Sequence, residues 1–494
     1  MSLSVALKVA QSALSARQIE TSTISRNIAG AQQAGFTRKS VMLSTVISQG
    51  GTGGGVRVDG IARSTDSGLY KALSGATSIA TSQYAIANGL DKLAGTTGDT
   101  ELLRSPAAQL GKLETAIQNY AAEPGNSIQA QAMLTAAKDT AKLLNDYTSL
   151  VQGVRADADA EIGTSINRVN DLLGQIETLN SVIVKGYASG ADVTDAMDSR
   201  DQALLSLSEE IGISTLTQSD GGVVIYTDSG VTLFETSARK VSFEPTISFM
   251  AGTVGNAIYI DGVPVTGASA IMPVSTGRLH GLTQLRDNVA VTYQNQLDEI
   301  ARGLVEAFAE RDQTGGGGPL QAGLFTWSGG PAVPATSTLS TGLAGSIRIN
   351  AAADPDQGGS LDLLRDGGMA GANYVYNPAG LAGYTGRLNE FVSAMNDPSR
   401  VFDAGVGLDP TSSLKTFASS SVSWLEAGRK TAAANVKFQS VIVSRSASAL
   451  SNVTGVNLDE EMTLMLDIER AYGAAAKLMT AVDRMLQDLL DSVR

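Results

Sequence analysis

The chain has 494 residues, room for roughly two to four domains, with 36 basic and 49 acidic side chains and a net charge of −13. That balance, with no Lys/Arg run, excludes nucleic acid as the main partner, because phosphate binding needs local positive charge. The lack of cysteine excludes disulfides and thiolate metal sites, and a lone histidine, His280, excludes any site built from two imidazoles.

No stretch reaches the ~18 apolar residues of a membrane-spanning helix. Met1–Leu14 is interrupted by Lys8 and Gln11 and has neither the basic nor the apolar region of a secretory leader. Ten of the twelve prolines lie between Pro245 and Pro410, so the chain reads as helical at both ends and β- or loop-rich between them.

From the N-terminus, Leu3, Leu7, Ala10, Leu14, Arg17, Thr21, Ile24 and Ile28 alternate spacings of four and three. They predict a heptad-like helix that stops between Gly30 and Gly35. Val41–Ile61 reads as a short hairpin or extended loop around the glycine tract at 50–55. No Gly-Lys-Ser/Thr follows that tract, so it reads as a turn and not a phosphate loop. Helices are expected over Gly68–Leu93 and Leu102–Tyr120. A very long one follows along Tyr147, Val151, Val154, Ala158, Ile162, Ile166, Val169, Leu173, Ile176 and Ile183, with Gly153, Gly163 and Gly174 as candidate breaks. Asp157 and Asp159 read as a solvated face. Asp198–Ile211 is a further helix. The ladder Asp192, Asp195, Asp198, Asp201 has only helical spacing and contains Arg200, so it reads as a helix face and not a cation site.

Beyond Gly212 the period changes to that of strands: Val223–Tyr226, Val231–Phe234, Val241–Phe243 and Ala257–Ile260, separated by Asp-Gly and Ser-Gly turns. A helix returns along Leu282, Leu285, Val289, Tyr293, Leu297, Ile300, Leu304 and Phe308, ending at Gly315, with His280 at its start. Gly315–Asn389 is glycine- and proline-rich with one strand at Ser346–Ile349. Its Asp354-Pro355-Asp356-Gln357-Gly358 is no calcium loop, because its twelfth position is Arg365 and not a glutamate. Leu414–Ser451 is helical.

The 36 residues Leu458–Val493 carry the strongest pattern. Leu458, Met465, Tyr472, Met479, Leu486 and Val493 recur every seventh residue, and the positions three further on are Glu461, Ile468, Ala475, Val482 and Leu489. A lone helix cannot bury such a stripe, so it needs a partner helix or copies of itself. Asp459, Glu460 and Glu461 lie in its first turn and suit the positive end of the helix dipole. The expected fold is α+β and mainly α. Both termini form a long helical-bundle or coiled-coil stem, and a β-containing middle domain is inserted. The expected division is 1–40 with 455–494, 41–211 with 390–454, and 212–389.

Both ends carry a recognisable signature. Asn27, Ile28, Ala29, Ala31, Gly35, Phe36 and Arg38 match the N-terminal signature of bacterial flagellar axial proteins, while Arg26 and Gly30 stand where asparagine is usual. Arg200-Asp201-Gln202-Ala203-Leu204-Leu205, Gly281-Leu282 with Arg286-Asp287, and Asn457-Leu458-Asp459-Glu460-Glu461-Met462 resemble the hook-associated protein 1 (FlgK) group. Glu469-Arg470-Ala471-Tyr472 stands for that group's usual Gln-x-Ala-Tyr. The resemblance implies a non-enzymatic structural subunit at the junction between flagellar hook and filament, with no cofactor. It implies export by the flagellar type III apparatus without a cleaved signal, and an extracellular location. The implied partners are copies of the chain in a ring, the hook protein, the second junction protein or filament, and an export chaperone at the C-terminal helix. Nucleic acid and membrane insertion are not implied. The alternatives are a hook or rod axial protein, or an enzyme or adhesin domain on a flagellar stem. The candidate assembly interface joins the two seams to the signature: Leu3, Leu7, Leu14, Ile24, Asn27, Ile28, Gly35 and Phe36, with Leu458, Met465, Ile468, Tyr472, Met479, Val482, Leu486 and Leu489.

Overall fold

The computed structural model describes residues 3–47, 54–96 and 104–491. The turn expected in the glycine tract at 50–53, the helix start at 102 and the seam position 493 lie outside the described residues.

Helix α1 (Leu3–Gly30) leads into strands β1 (Lys39–Ile47) and β2 (Gly54–Arg63), an antiparallel hairpin with a register shift at Met42/Leu43. Helix α2 (Ser67–Leu93) starts where the Asp66 carboxylate accepts from the Leu69 N–H. Helix α3 (Pro106–Ala122) has Ser105 as its cap and proline at its first position, where a missing N–H costs nothing. Helix α4 (Ser127–Ser189) is 63 residues, about 94 Å, long and closes on left-handed Gly190. Helix α5 (Thr194–Glu210) packs back along it.

The glycines at 153, 163 and 174 do not break α4. A Cβ at any of them would meet nothing within 4 Å, so all three face open space. Each costs roughly 1 kcal/mol against alanine. The opposite face buries Val151, Val154, Ile162, Ile166, Val169, Leu173 and Ile176, and burial of each such side chain contributes roughly 1.5–3 kcal/mol. Burial wins and the helix stays whole.

The strand-period segment folds as two small antiparallel sheets. The first is β3 (Ile213–Thr217), β4 (Val223–Thr227) and β5 (Thr232–Phe234); the second is β6 (Val241–Ser242), β7 (Tyr259–Ile260) and β8 (Val263–Pro264). Helix α6 (Arg278–Gln284) runs through a π turn at Leu285–Val289 into α7 (Ala290–Ala307). The π turn presents Arg286, whose Nη1 lies 2.6 Å from the Asp159 carboxylate of α4. Asp159 is therefore buried and paired, not a solvated face, because a second helix lies over it.

Helix α7 ends at Ala307, not at Gly315. Past Phe308 the backbone of Glu310 exchanges hydrogen bonds with Gln321, and its carboxylate accepts from the Met369 and Ala370 N–H groups. That pairing draws the chain out of the helix. The rest of the segment is largely irregular: β9 (Phe325–Thr326) pairs with β10 (Arg348–Ile349) beside the short helices α8 (Leu343–Ser346) and α9 (Leu363–Asp366). Helices α10 (Gly386–Met395), α11 (Leu414–Thr454) and α12 (Leu458–Asp491) complete the chain.

Two packed bodies follow. In one, α4, α10 and α11 pack on α7, with α2, α3 and α5 packed in turn on α4 and α11; Gln294, Gln296, Asp298, Glu299 and Arg302 of α7 are buried as fully as its apolar stripe. Arg302 is satisfied by Glu299, Glu306 and the Val401 carbonyl. In the other, α1 packs along α12 while the β1–β2 hairpin lies on α1, with the Val56 N–H donating to Ser12. The fold is mainly α with a few small sheets in its middle region.

Candidate assembly interface

The end of α1 meets the start of α12, so the two terminal helices run antiparallel as a stem. On α1, Ile24 and Asn27 are buried, Leu7, Leu14 and Ile28 half-buried, and Ala10 and Ala16 are also covered. On α12, Ile468 and Val482 are buried and Met465, Met479 and Leu486 half-buried. The side chains of Leu3 and Leu489 lie outside the described residues. Leu458 and Tyr472 are 40% and 44% exposed. At Tyr472 the heptad reading fails: the smaller Ala471 and Ala475 are half-buried there, and the ring stands outward.

Helix α12 carries a second apolar row that α1 does not cover. Leu464, Leu478 and Met485, in register with Ala471 at seven-residue spacing, are 40%, 50% and 50% exposed. An apolar face three heptad positions wide needs more than one partner helix.

At the foot of the stem the signature residues form a polar clasp. The Asn27 side chain closes on the backbone of Lys39, accepting from its N–H at 2.9 Å and donating to its carbonyl at 2.8 Å. The same amide donates to Glu461 Oε2 at 2.9 Å, and Arg38 Nε donates to Glu461 Oε1 at 2.6 Å. The Arg38 N–H donates to the Thr454 carbonyl at the end of α11. The sequence made Glu461 a first-turn dipole partner. It does lie in that first turn and is also a buried carboxylate, 1% exposed at its side chain, because Asn27 of α1 and Arg38 ahead of β1 close over it.

The aspartate ladder of α5 receives the other side of this segment. Lys39, whose side chain is wholly buried, places its ammonium 2.7 Å from Asp195 and 2.9 Å from Asp198, and 3.7 Å from the centre of the Phe36 ring. Arg63 bridges Asp198 and Asp201, while Arg26 reaches Asp192 and Thr194. Thr37 donates to Asp198 from both N–H and hydroxyl. Burial pushes the Asp201 carboxyl above the usual carboxylate range, opposed by the charge of Arg63. The ladder is a docking strip for basic residues of the stem.

The backbone explains the small residues of the signature. Gly35 has φ +75°, and a Cβ there would meet the Gln202 side chain, which donates to the Ala34 carbonyl. Of the candidate residues, the structure brings Ile24, Asn27, Ile28, Met465 and Ile468 to the foot of the stem, with Gly35 and Phe36 beside them. Leu7, Leu14, Met479, Val482 and Leu486 lie further out. The periodicity reading missed Arg26, Arg38, Lys39, Arg63, Glu461 and the aspartates. One signal was available: Glu461 is the only polar residue among the seam positions of the last helix.

Among the described residues no cluster of three or more His, Cys, Asp or Glu side chains is placed to hold a metal, and no helix is long and apolar enough to cross a membrane. His280 sits in the first turn of α6, with Nδ1 2.9 Å from the Ser82 hydroxyl; burial lowers its pKa.

Residues 88–323 match the family described as the flagellar hook-associated protein FlgK helical domain, and 449–492 match the flagellar basal body rod FlgEFG protein C-terminal family. The chain is 27% identical to the flagellar hook-associated protein 1 of Escherichia coli (strain K12) over 62% of its own length, spanning 56% of that relative. It is 23% identical to the protein of that name from Bacillus subtilis (strain 168), over 99% of this chain and 98% of the other. The flagellar hook junction protein FlgK from Burkholderia pseudomallei has a similar fold: TM-score 0.56 at 13% identity, covering 77% of this chain and 99% of that one. Across its helical middle and along its length the chain is similar to the flagellar hook-associated protein 1 (FlgK) family.

Proposed function

We propose that the chain is a structural subunit of the bacterial flagellum, forming the junction between hook and filament and needed for filament assembly. The observation that carries this reading is the stem. Both chain ends pair into one antiparallel rod, and its C-terminal helix keeps the row Leu464, Leu478 and Met485 uncovered. A uniform apolar row along a rod suits neighbouring copies set side by side in a ring. The hook protein and the second junction protein would lie on either side of that ring. An export chaperone would cover α12 before assembly. The chain would leave through the flagellar type III apparatus without a cleaved signal and work outside the cell.

The division proposed for these roles is 1–40 with 455–494 as the stem, 41–211 with 390–454 as the helical body, and 212–389 as the inserted middle segment. The packing of α6 and α7 against α2, α4 and α11 ties that middle segment to the body. A second reading, a hook or rod axial protein, is favoured by the match of 449–492 to a rod C-terminal family. The helical-domain match supports the first.

Electron microscopy of a deletion strain separates them. The junction reading expects hooks of normal length without filaments, with filaments restored by the full chain in trans. Loss of the hooks themselves would favour the second reading, and normal filaments would overturn both.

A further inference from the structure

We propose that Glu461 couples the two bodies: seating α12 fixes residues 36–39 on α5, so the foot of the stem orders together with the body while the outer stem orders independently. The contacts form one unbroken line. The Glu461 carboxylate of α12 holds Arg38 and Asn27. Asn27 holds both backbone groups of Lys39, and the Lys39 ammonium is held between Asp195 and Asp198 of the body. A second strand of the same line runs from Arg38 to the last turn of α11 through Thr454.

The chemistry makes this line conditional at both ends. The Glu461 side chain is 1% exposed and that of Lys39 wholly buried. Neither charge tolerates its site without its partner, since an uncompensated buried charge is strongly unfavourable. Undocking α12 would leave the second Asn27 N–H and the Arg38 guanidinium without their carboxylate. Displacing Arg38 and Asn27 would leave that carboxylate buried and unpaired. Each helix is thus admitted by the other, and the coupling is reciprocal. Further out, among the described residues, the stem has apolar contacts, local hydrogen bonds of α1 such as Thr21 to the Arg17 carbonyl, and the Val56 N–H donating to Ser12, with no charge seated on the body. The two parts of the stem are secured by different means and should open separately.

Amide hydrogen exchange on the full chain tests this without reference to any role in the flagellum. The readouts are the Arg38 and Lys39 N–H groups, with amides in α7 as an internal measure that the body remains folded. Glu461→Ala, and independently Arg38→Met, should raise exchange at both positions by roughly tenfold or more while α7 stays protected. Val482→Asp, placed in the outer seam, should speed exchange through the far half of α12 and leave Arg38 and Lys39 protected. Unchanged protection at Lys39 in Glu461→Ala, or equal loss of it in Val482→Asp, would overturn the proposal.

Discussion

Lys39 keeps no part of its side chain in water, yet it lies against two carboxylates and an aromatic face, so its burial is compensated. Asp298 in α7 is compensated differently. It accepts from the Gly342 and Ala344 N–H groups and from Gln294, with no cation paired to it among the described residues. Burial dominates and pushes its pKa from 3.8 to about 6, with the neighbouring Glu299 charge adding to the rise. A raised carboxyl pKa means the folded state holds the proton more tightly than the unfolded chain. This residue's contribution is most favourable below about pH 4, falls as pH rises towards 6, and levels off above that. At roughly 1.36 kcal/mol per decade, the charged form carries a penalty on the order of 3 kcal/mol. Asp298→Asn removes the titration. Denaturant midpoints at pH 4 and pH 7 should show the variant gaining on the wild type by about that amount at the higher pH. An identical gap at both values would mean that Asp298 does not titrate in this range.

Helices α4 and α12 show what a heptad-like pattern does and does not fix. On α4, one stripe and its glycines are distributed so that one face is buried and the other open. On α12, apolar residues occupy more of the circumference than α1 can cover, and Tyr472, Leu464, Leu478 and Met485 are left outward. The buried seam and the exposed row have separable consequences. Replacing Leu464 and Leu478 with Gln removes apolar surface that is already wet, so monomer stability should move by no more than about 0.5 kcal/mol. Filament attachment should nevertheless be lost, read by electron microscopy of a complemented deletion strain. Full attachment in the double variant would exclude this row as a contact between subunits.

The whole molecule joins a well-packed body to a two-helix stem with an uncovered apolar side. Such a side invites association with whatever is nearest. Before assembly, an export chaperone at α12 would serve that need. A pull-down with the chaperone as bait should capture the full chain and lose a chain lacking 458–494, while the thermal transition of the body is unchanged. Undiminished capture of the shortened chain would place the chaperone elsewhere.

Composition and period alone determined a mainly helical chain with paired ends, because a 3.6-residue apolar repeat is a local property that survives any packing. They also placed the strand-rich stretch after Gly212, the long helix of the middle of the chain and the seam residues Ile24, Ile468 and Val482. Only the tertiary structure decided the rest. Asp159, Asp198 and Glu461 are hydrophilic letters on helix faces, and nothing nearby in sequence tells a solvated carboxylate from a buried one. Their partners are Arg286, Lys39 and Arg38, separated from them by 127, 159 and 423 positions. Helix α7 ends at Ala307 for a similar reason: Gln321 and the 369–370 backbone compete for Glu310, and no helix-stop signal marks the place. Burial of an apolar stripe is written into spacing. The pairing of buried charges depends on which distant residues the fold brings within 3 Å, and only the packed chain supplies that.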